Sequence, residues 1–111
     1  MTHHKTLDVE NWFKLSLVTQ LANVGSEAIR AINWKNKNNE GYSQLAFYRS
    51  LELLNLIKED PKNRERLKEI TITYEVLVDF FAGENIYNST SKSISNYFNQ
   101  FTYLNAIRNN R

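Results

Sequence analysis

Apolar residues recur at three- and four-residue intervals through four successive segments of the chain, and polar punctuation separates each segment from the next. That interval keeps side chains on one face of an α-helix, so each segment predicts an amphipathic helix. Residues that break helices are scarce, with three glycines and one proline in 111 residues. The one place where a strand competes is the β-branched run Ile70-Thr71-Ile72-Thr73, and the helical period runs through it unbroken.

The first segment predicts a helix over 8–35, carried by Phe13, Leu17, Leu21, Val24, Ala28 and Ile32. Asp8 fits an N-cap, with Leu7 and Trp12 placed as a hydrophobic staple. A continuous helix of this length would be about 42 Å long. Gly25 sits in mid-pattern, where a glycine costs roughly 1 kcal/mol relative to alanine. It marks either a break or a close approach of two helices. The apolar period continues in phase across it, which favours close approach.

After the linker Asn36-Lys37-Asn38-Asn39, a second helix is predicted over 40–59. It is apolar almost all round between Leu51 and Ile57, so it is either central or covered by a second subunit. Asp60-Pro61 is the sharpest punctuation, with Asp60 as cap and Pro61 at the first position of a helix over 61–82. Gly83 stands where a left-handed C-terminal cap belongs. The last helix is predicted over 90–108, with aromatic residues dominating its apolar face. Short connections make neighbouring helices antiparallel, so the expected fold is an all-α, up-down-up-down four-helix bundle. Residues 1–111 form a single domain, with 1–7 as a tail.

The chain contains no cysteine, which excludes disulfides and thiolate metal sites. Its two histidines, His3 and His4, both precede the first helix, so the Glu-x-x-His pattern of di-iron bundles is missing and no histidine is placed to activate a serine. No glycine-rich phosphate loop is present. An all-carboxylate metal site from Glu27, Glu52, Glu69 and Asp79 remains as a minor alternative. No cofactor is expected, and no catalytic constellation is visible. No apolar run reaches the roughly 20 residues of a membrane span. The first residues lack a signal-peptide apolar region, which makes the cytoplasm the expected location.

The most interesting polar constellation is Asn23, Glu27 and Arg30 on the first helix with Arg49 and Glu52 on the second. Glu27 with Arg30, and Arg49 with Glu52, are i,i+3 pairs worth a few tenths of a kcal/mol each on an exposed face. Solvated faces explain them first. An interhelical network that fixes register at a bundle or subunit interface comes second, and a ligand pocket third. The net charge is +2, and acidic and basic residues are interspersed, unlike the strong basic runs of electrostatic nucleic-acid binders. Nucleic-acid contact, if present, falls to Trp34, Lys35 and Lys37. The basic run Lys62, Arg64, Arg66 and Lys68 reads first as a solvated face.

The stretches Gly25-Ser26-Glu27, Arg49-Ser50-Leu51-Glu52-Leu53, Arg66-Leu67-Lys68-Glu69 and Gly83-Glu84-Asn85-Ile86-Tyr87 resemble those of small uncharacterised bacterial four-helix-bundle proteins. The resemblance implies the bundle fold and a bacterial origin, and it supplies no activity. The expected function is therefore a non-enzymatic helical interaction module. It would self-associate as a homodimer or other homo-oligomer, or bind a protein partner. The alternative is a nucleic-acid-binding accessory bundle.

Overall fold

The computed structural model describes residues 9–109, all of whose regular structure is helical. A short α1 (Val9–Lys14) leads into α2 (Leu17–Asn36) and α3 (Glu40–Glu59), and a 3₁₀ segment (Pro61–Arg66) opens into α4 (Leu67–Ala82), before α5 (Ser91–Asn109) closes the chain. Four of the five helices are long, and the predicted bounds of the second match α3. The expected cap and staple at Asp8 and Leu7, and the tail 1–7, lie outside the described residues.

The first predicted helix is in fact two, and the break falls at Ser16 rather than at Gly25. Ser16 is extended and caps α2 by accepting from the Thr19 N–H at 3.2 Å. Two of the carbonyls that the break frees at the end of α1 find donors. Trp12 C=O accepts from Leu15 N–H at 3.1 Å and from the Gln20 side-chain amide at 3.1 Å, and Phe13 C=O accepts from Lys62 Nζ at 3.0 Å. A helix end buried without such partners would be strongly destabilised. The third predicted helix also changes at its start, where the first turns, Pro61–Arg66, wind as 3₁₀. Asp60 caps them as expected, through the Lys62 N–H at 3.2 Å. The tighter winding goes with Asn63 buried, its side-chain amide donating to Gln20 Oε1 at 3.0 Å and Ile57 C=O at 3.1 Å.

Gln20, Asp60 and Asn63 thus form one buried knot, which the exposed Lys62 closes from outside. It ties the end of α1 and the start of α2 to the end of α3. Asp60 is 4% exposed, accepts from Gln20 Nε2 at 3.1 Å and pairs with the Lys62 ammonium. Burial pushes its carboxyl up, but the hydrogen bonds from Lys62 and Gln20 outweigh it, and the carboxyl ionises below its ordinary value.

α2 is the hub, packing against α3 on one side and α5 on another. At opposite ends of the α2–α3 pair, Gln20 meets Asp60, and Ser43 Oγ donates to Ala31 C=O at 2.8 Å, so the two helices run antiparallel. α5 also runs antiparallel to α2, with Thr19 Oγ1 donating to Asn105 Oδ1 at 2.7 Å near one end and Phe98 lying on Gly25 further along. A Cβ on Gly25 would sit 2.6 Å from Phe98 Cβ, so the glycine is a close-approach residue inside an unbroken helix. Leu21, Val24 and Ala28 of α2 are buried with Leu54, Ile57 and Phe98 in the core. Each such large apolar side chain contributes roughly 1.5–3 kcal/mol of burial. The apolar circumference near Leu51 to Ile57 is largely covered inside the single chain, with Leu54, Leu56 and Ile57 buried and Leu51 and Leu53 partly so.

Gly83 does not take the expected left-handed cap. Its φ is −111°, and the left-handed residues of this loop are Asn85 (φ 57°) and Asn88 (φ 55°). The chain instead folds back on Asp79, whose C=O accepts from Gly83 and Asn85 N–H at 3.1 and 3.2 Å. A Cβ on Gly83 would lie 3.0 Å from Asp79 Cα, so proximity rather than φ calls for glycine. The Asp79 carboxylate also accepts from Ile86 and Tyr87 N–H at 2.8 and 3.0 Å, which pins the loop to α4. α5 then opens on a capping box in which Thr90 and Ser93 each accept the other's backbone N–H at 2.9 Å.

Candidate functional site

The polar residues singled out from the sequence fall on two separate helix faces. On α2, Asn23 is exposed and donates its amide to Thr19 C=O at 2.9 Å. Glu27 and Arg30 pair along the same helix at 3.4 Å, with 19% and 54% of their side chains exposed. At that exposure the pair is worth only tenths of a kcal/mol. On α3, Arg49 and Glu52 are both half-buried. Among the described residues no ion pair joins Glu27 or Arg30 to Arg49.

Arg49 and Glu52 continue a longer stripe along α3. Tyr42, Leu45, Arg49 and Glu52 follow at spacings of three, four and three along α3, one face of a helix, with Tyr48 beside them. Tyr42, Leu45 and Tyr48 are 54%, 47% and 52% exposed. The stripe therefore combines a partly uncovered apolar half with a half that carries opposite charges one turn apart.

The linker cluster has a different character. The Trp34 and Tyr42 rings meet edge to face at 4.8 Å between centroids, and Lys37 Nζ lies 5.3 Å from the Trp34 ring. Lys35 Nζ sits 4.6 Å from the Phe80 ring centroid. These rings and cations are engaged with one another in cation–π and aromatic contacts within the chain. Lys62 and Arg66, at the far end of α3, are drawn onto Asp60 and Glu69. The two basic regions do not merge.

A third site was not legible in the sequence. α4 packs chiefly on α3, and α5 on α2, which leaves a cleft of about 270 Å³ between α4 and α5. Ile72, Val76, Leu77, Ile94 and Phe98 give it apolar walls. At one end, Thr73, Tyr97, Glu69 and Arg66 form a polar cluster. Thr73 Oγ1 donates to Glu69 C=O at 2.9 Å and lies 3.0 Å from Tyr97 Oη. Tyr97 Oη donates to Glu69 Oε2 at 3.2 Å, and Arg66 pairs with the other oxygen of the same carboxylate. Burial is the main cause that pushes the Tyr97 phenol up, with the Glu69 carboxylate adding to it. In the sequence Thr73 stands out only within the β-branched run Ile70-Thr71-Ile72-Thr73, and Tyr97 only as one of the aromatic residues of the last helix. Only the tertiary fold brings their hydroxyls together.

Among the described residues no three His, Asp or Glu side chains gather as a metal site, so Glu27, Glu52, Glu69 and Asp79 do not converge. No described helix is long and apolar enough to cross a membrane. Comparison with protein-family profiles, curated proteins and solved structures finds no match.

Proposed function

We propose that the chain is a non-enzymatic interaction module, built as an up-down-up-down bundle of its four long helices, that associates with a second copy of itself through the outward face of α3. The observation that carries this reading is the α3 stripe. Three large side chains, Tyr42, Leu45 and Tyr48, stay about half exposed in one continuous patch beside Arg49 and Glu52. A two-fold dimer must be self-complementary. Two antiparallel copies of this stripe can set Arg49 opposite the partner's Glu52, and the symmetry repeats the pair. The tyrosines and Leu45 then flank the charges with apolar surface, and tyrosine is a favoured interface residue. α3 is about 30 Å long, so a pairing through this helix alone gives an interface of modest size.

Nucleic-acid binding comes second. Its support is the exposed Lys35 and Lys37 beside Trp34, but these cations already lie over rings of the same chain. A charge-swap series separates the readings. Arg49→Glu and Glu52→Arg each place like charges across the proposed interface and weaken self-association, and the double swap restores it. If both single swaps leave the association constant unchanged, the α3 interface is wrong.

A further inference from the structure

The cleft between α4 and α5 lies away from the proposed α3 interface, and its chemistry is that of a small-molecule site. Two sets of contacts fix where its apolar walls stand. The Gly25–Phe98 contact draws α5 onto α2, and the loop 83–90 is fastened to the Asp79 carboxylate and carbonyl. The cleft is thus preformed, as ligand pockets usually are. One consequence is that Ile72 stays 43% exposed on its rim.

The polar end sets the class of ligand. Thr73 and Tyr97 have two hydroxyl protons between them, and three contacts draw on them: Thr73 to Glu69 C=O, Tyr97 to Glu69 Oε2, and Thr73 to Tyr97. The cluster has more acceptor capacity than protons to fill it. A further O–H or N–H donor arriving from the cleft would complete it at Tyr97 Oη or Thr73 Oγ1. No charged side chain lines the cleft itself, and the adjoining groove carries both signs, with Arg66 and Lys68 beside Glu65 and Glu69, so a charged head of neither sign is selected. A volume of about 270 Å³ has room for roughly nine water-sized groups at ~30 Å³ each. We infer that the α4–α5 cleft binds a small neutral amphiphile, an aromatic or aliphatic body with one hydroxyl or N–H donor directed at Tyr97 and Thr73.

Amide chemical-shift titration of the full chain with 4-ethylphenol, and with ethylbenzene as the matched hydrocarbon, tests this. The expected result is saturable binding of the phenol, with shifts concentrated at Ile72, Val76, Ser93 and Ile94. Val76→Phe, which fills the cleft, weakens the phenol by about tenfold or more. Tyr97→Phe brings the phenol down to the affinity of the hydrocarbon without changing the hydrocarbon's own. The inference is overturned by phenol and hydrocarbon binding alike to the native chain, by shifts centred elsewhere, or by no saturable binding. It is also overturned if phenol binding disappears at protein concentrations where the chain self-associates, which would assign the cleft to a second copy. Apart from that last one, none of these outcomes depends on Tyr42, Leu45 or Tyr48, so the cleft and the α3 interface stand or fall separately.

Discussion

Replacing Gly25 by alanine sets two opposing effects against each other, and the structure decides which wins. In a helix interior alanine is favoured over glycine by roughly 1 kcal/mol. The new Cβ, however, would lie 2.6 Å from Phe98 Cβ, 3.0 Å from Cγ and 3.2 Å from Cδ1. Ordinary carbon contacts fall near 3.5–4.0 Å, so α5 has to withdraw by about 1 Å or Phe98 has to leave its rotamer. Overpacking of this kind costs about 1–3 kcal/mol. A withdrawal of α5 also stretches the Thr19–Asn105 hydrogen bond, now 2.7 Å. The net expectation is a loss of about 1–2 kcal/mol, read as a lower urea midpoint with an unchanged m-value. Gly41 supplies the internal control. It is exposed in the first turn of α3, and its nearest neighbour to an added Cβ is Asn39 Oδ1 at 3.8 Å. Gly41→Ala should therefore stabilise the chain by up to about 1 kcal/mol. Two helical glycines thus give opposite signs. If Gly25→Ala is stabilising too, α2 and α5 do not meet at Phe98, and the packing argument collapses.

Gln20→Ala removes both the donor to Asp60 and the acceptor of Asn63, so it should cost about 2–4 kcal/mol in chemical denaturation, from unsatisfied buried polar groups and lost side-chain burial together. The Asp60 carboxyl ionises more readily folded than unfolded. The unfolded chain therefore binds more protons in the acid range, and stability is full above the ordinary carboxylate value near 4 and is lost as pH falls through and below it. That acid slope should shrink in Asp60→Asn when the thermal midpoint is followed against pH. Asn85 combines a positive φ with two side-chain hydrogen bonds to the Ser89 backbone, at 2.8 and 2.9 Å. Asn85→Ala should lower stability by about 2 kcal/mol, and Asn85→Gly by less, because glycine keeps the left-handed backbone without strain.

Periodicity placed α3 correctly and put α5 within a residue, because a capping side chain stands at the start of each, Asn39 and Thr90, and their apolar residues recur at helical spacing. It missed the division between α1 and α2. Lys14-Leu15-Ser16 contains neither glycine nor proline, and the donors that make the break tolerable come from the first turn of the next helix, Gln20, and from 49 residues away, Lys62. The 3₁₀ start of the third segment was hidden for the same reason, since it goes with Asn63 binding Gln20 across 43 residues. Gly83 was recognised as special, but the sequence pattern could not distinguish a glycine needed for its φ from one needed for proximity. Of the candidate sites, the Glu27–Arg30 pair and the Trp34–Lys37 cluster were legible because their members are neighbours in sequence. The α4–α5 cleft was not, because it exists only as a spacing between two helices.

The account rests most heavily on the outward face of α3, and sedimentation equilibrium of the native chain beside Leu45→Glu tests it directly. The prediction is a weight-average mass that climbs towards twice the chain mass through the micromolar range for the native protein, while Leu45→Glu, equally helical and equally stable, stays at the mass of one chain. A native chain that remains a single species at tens of micromolar, or a Leu45→Glu variant that associates as well as the native one, would contradict it.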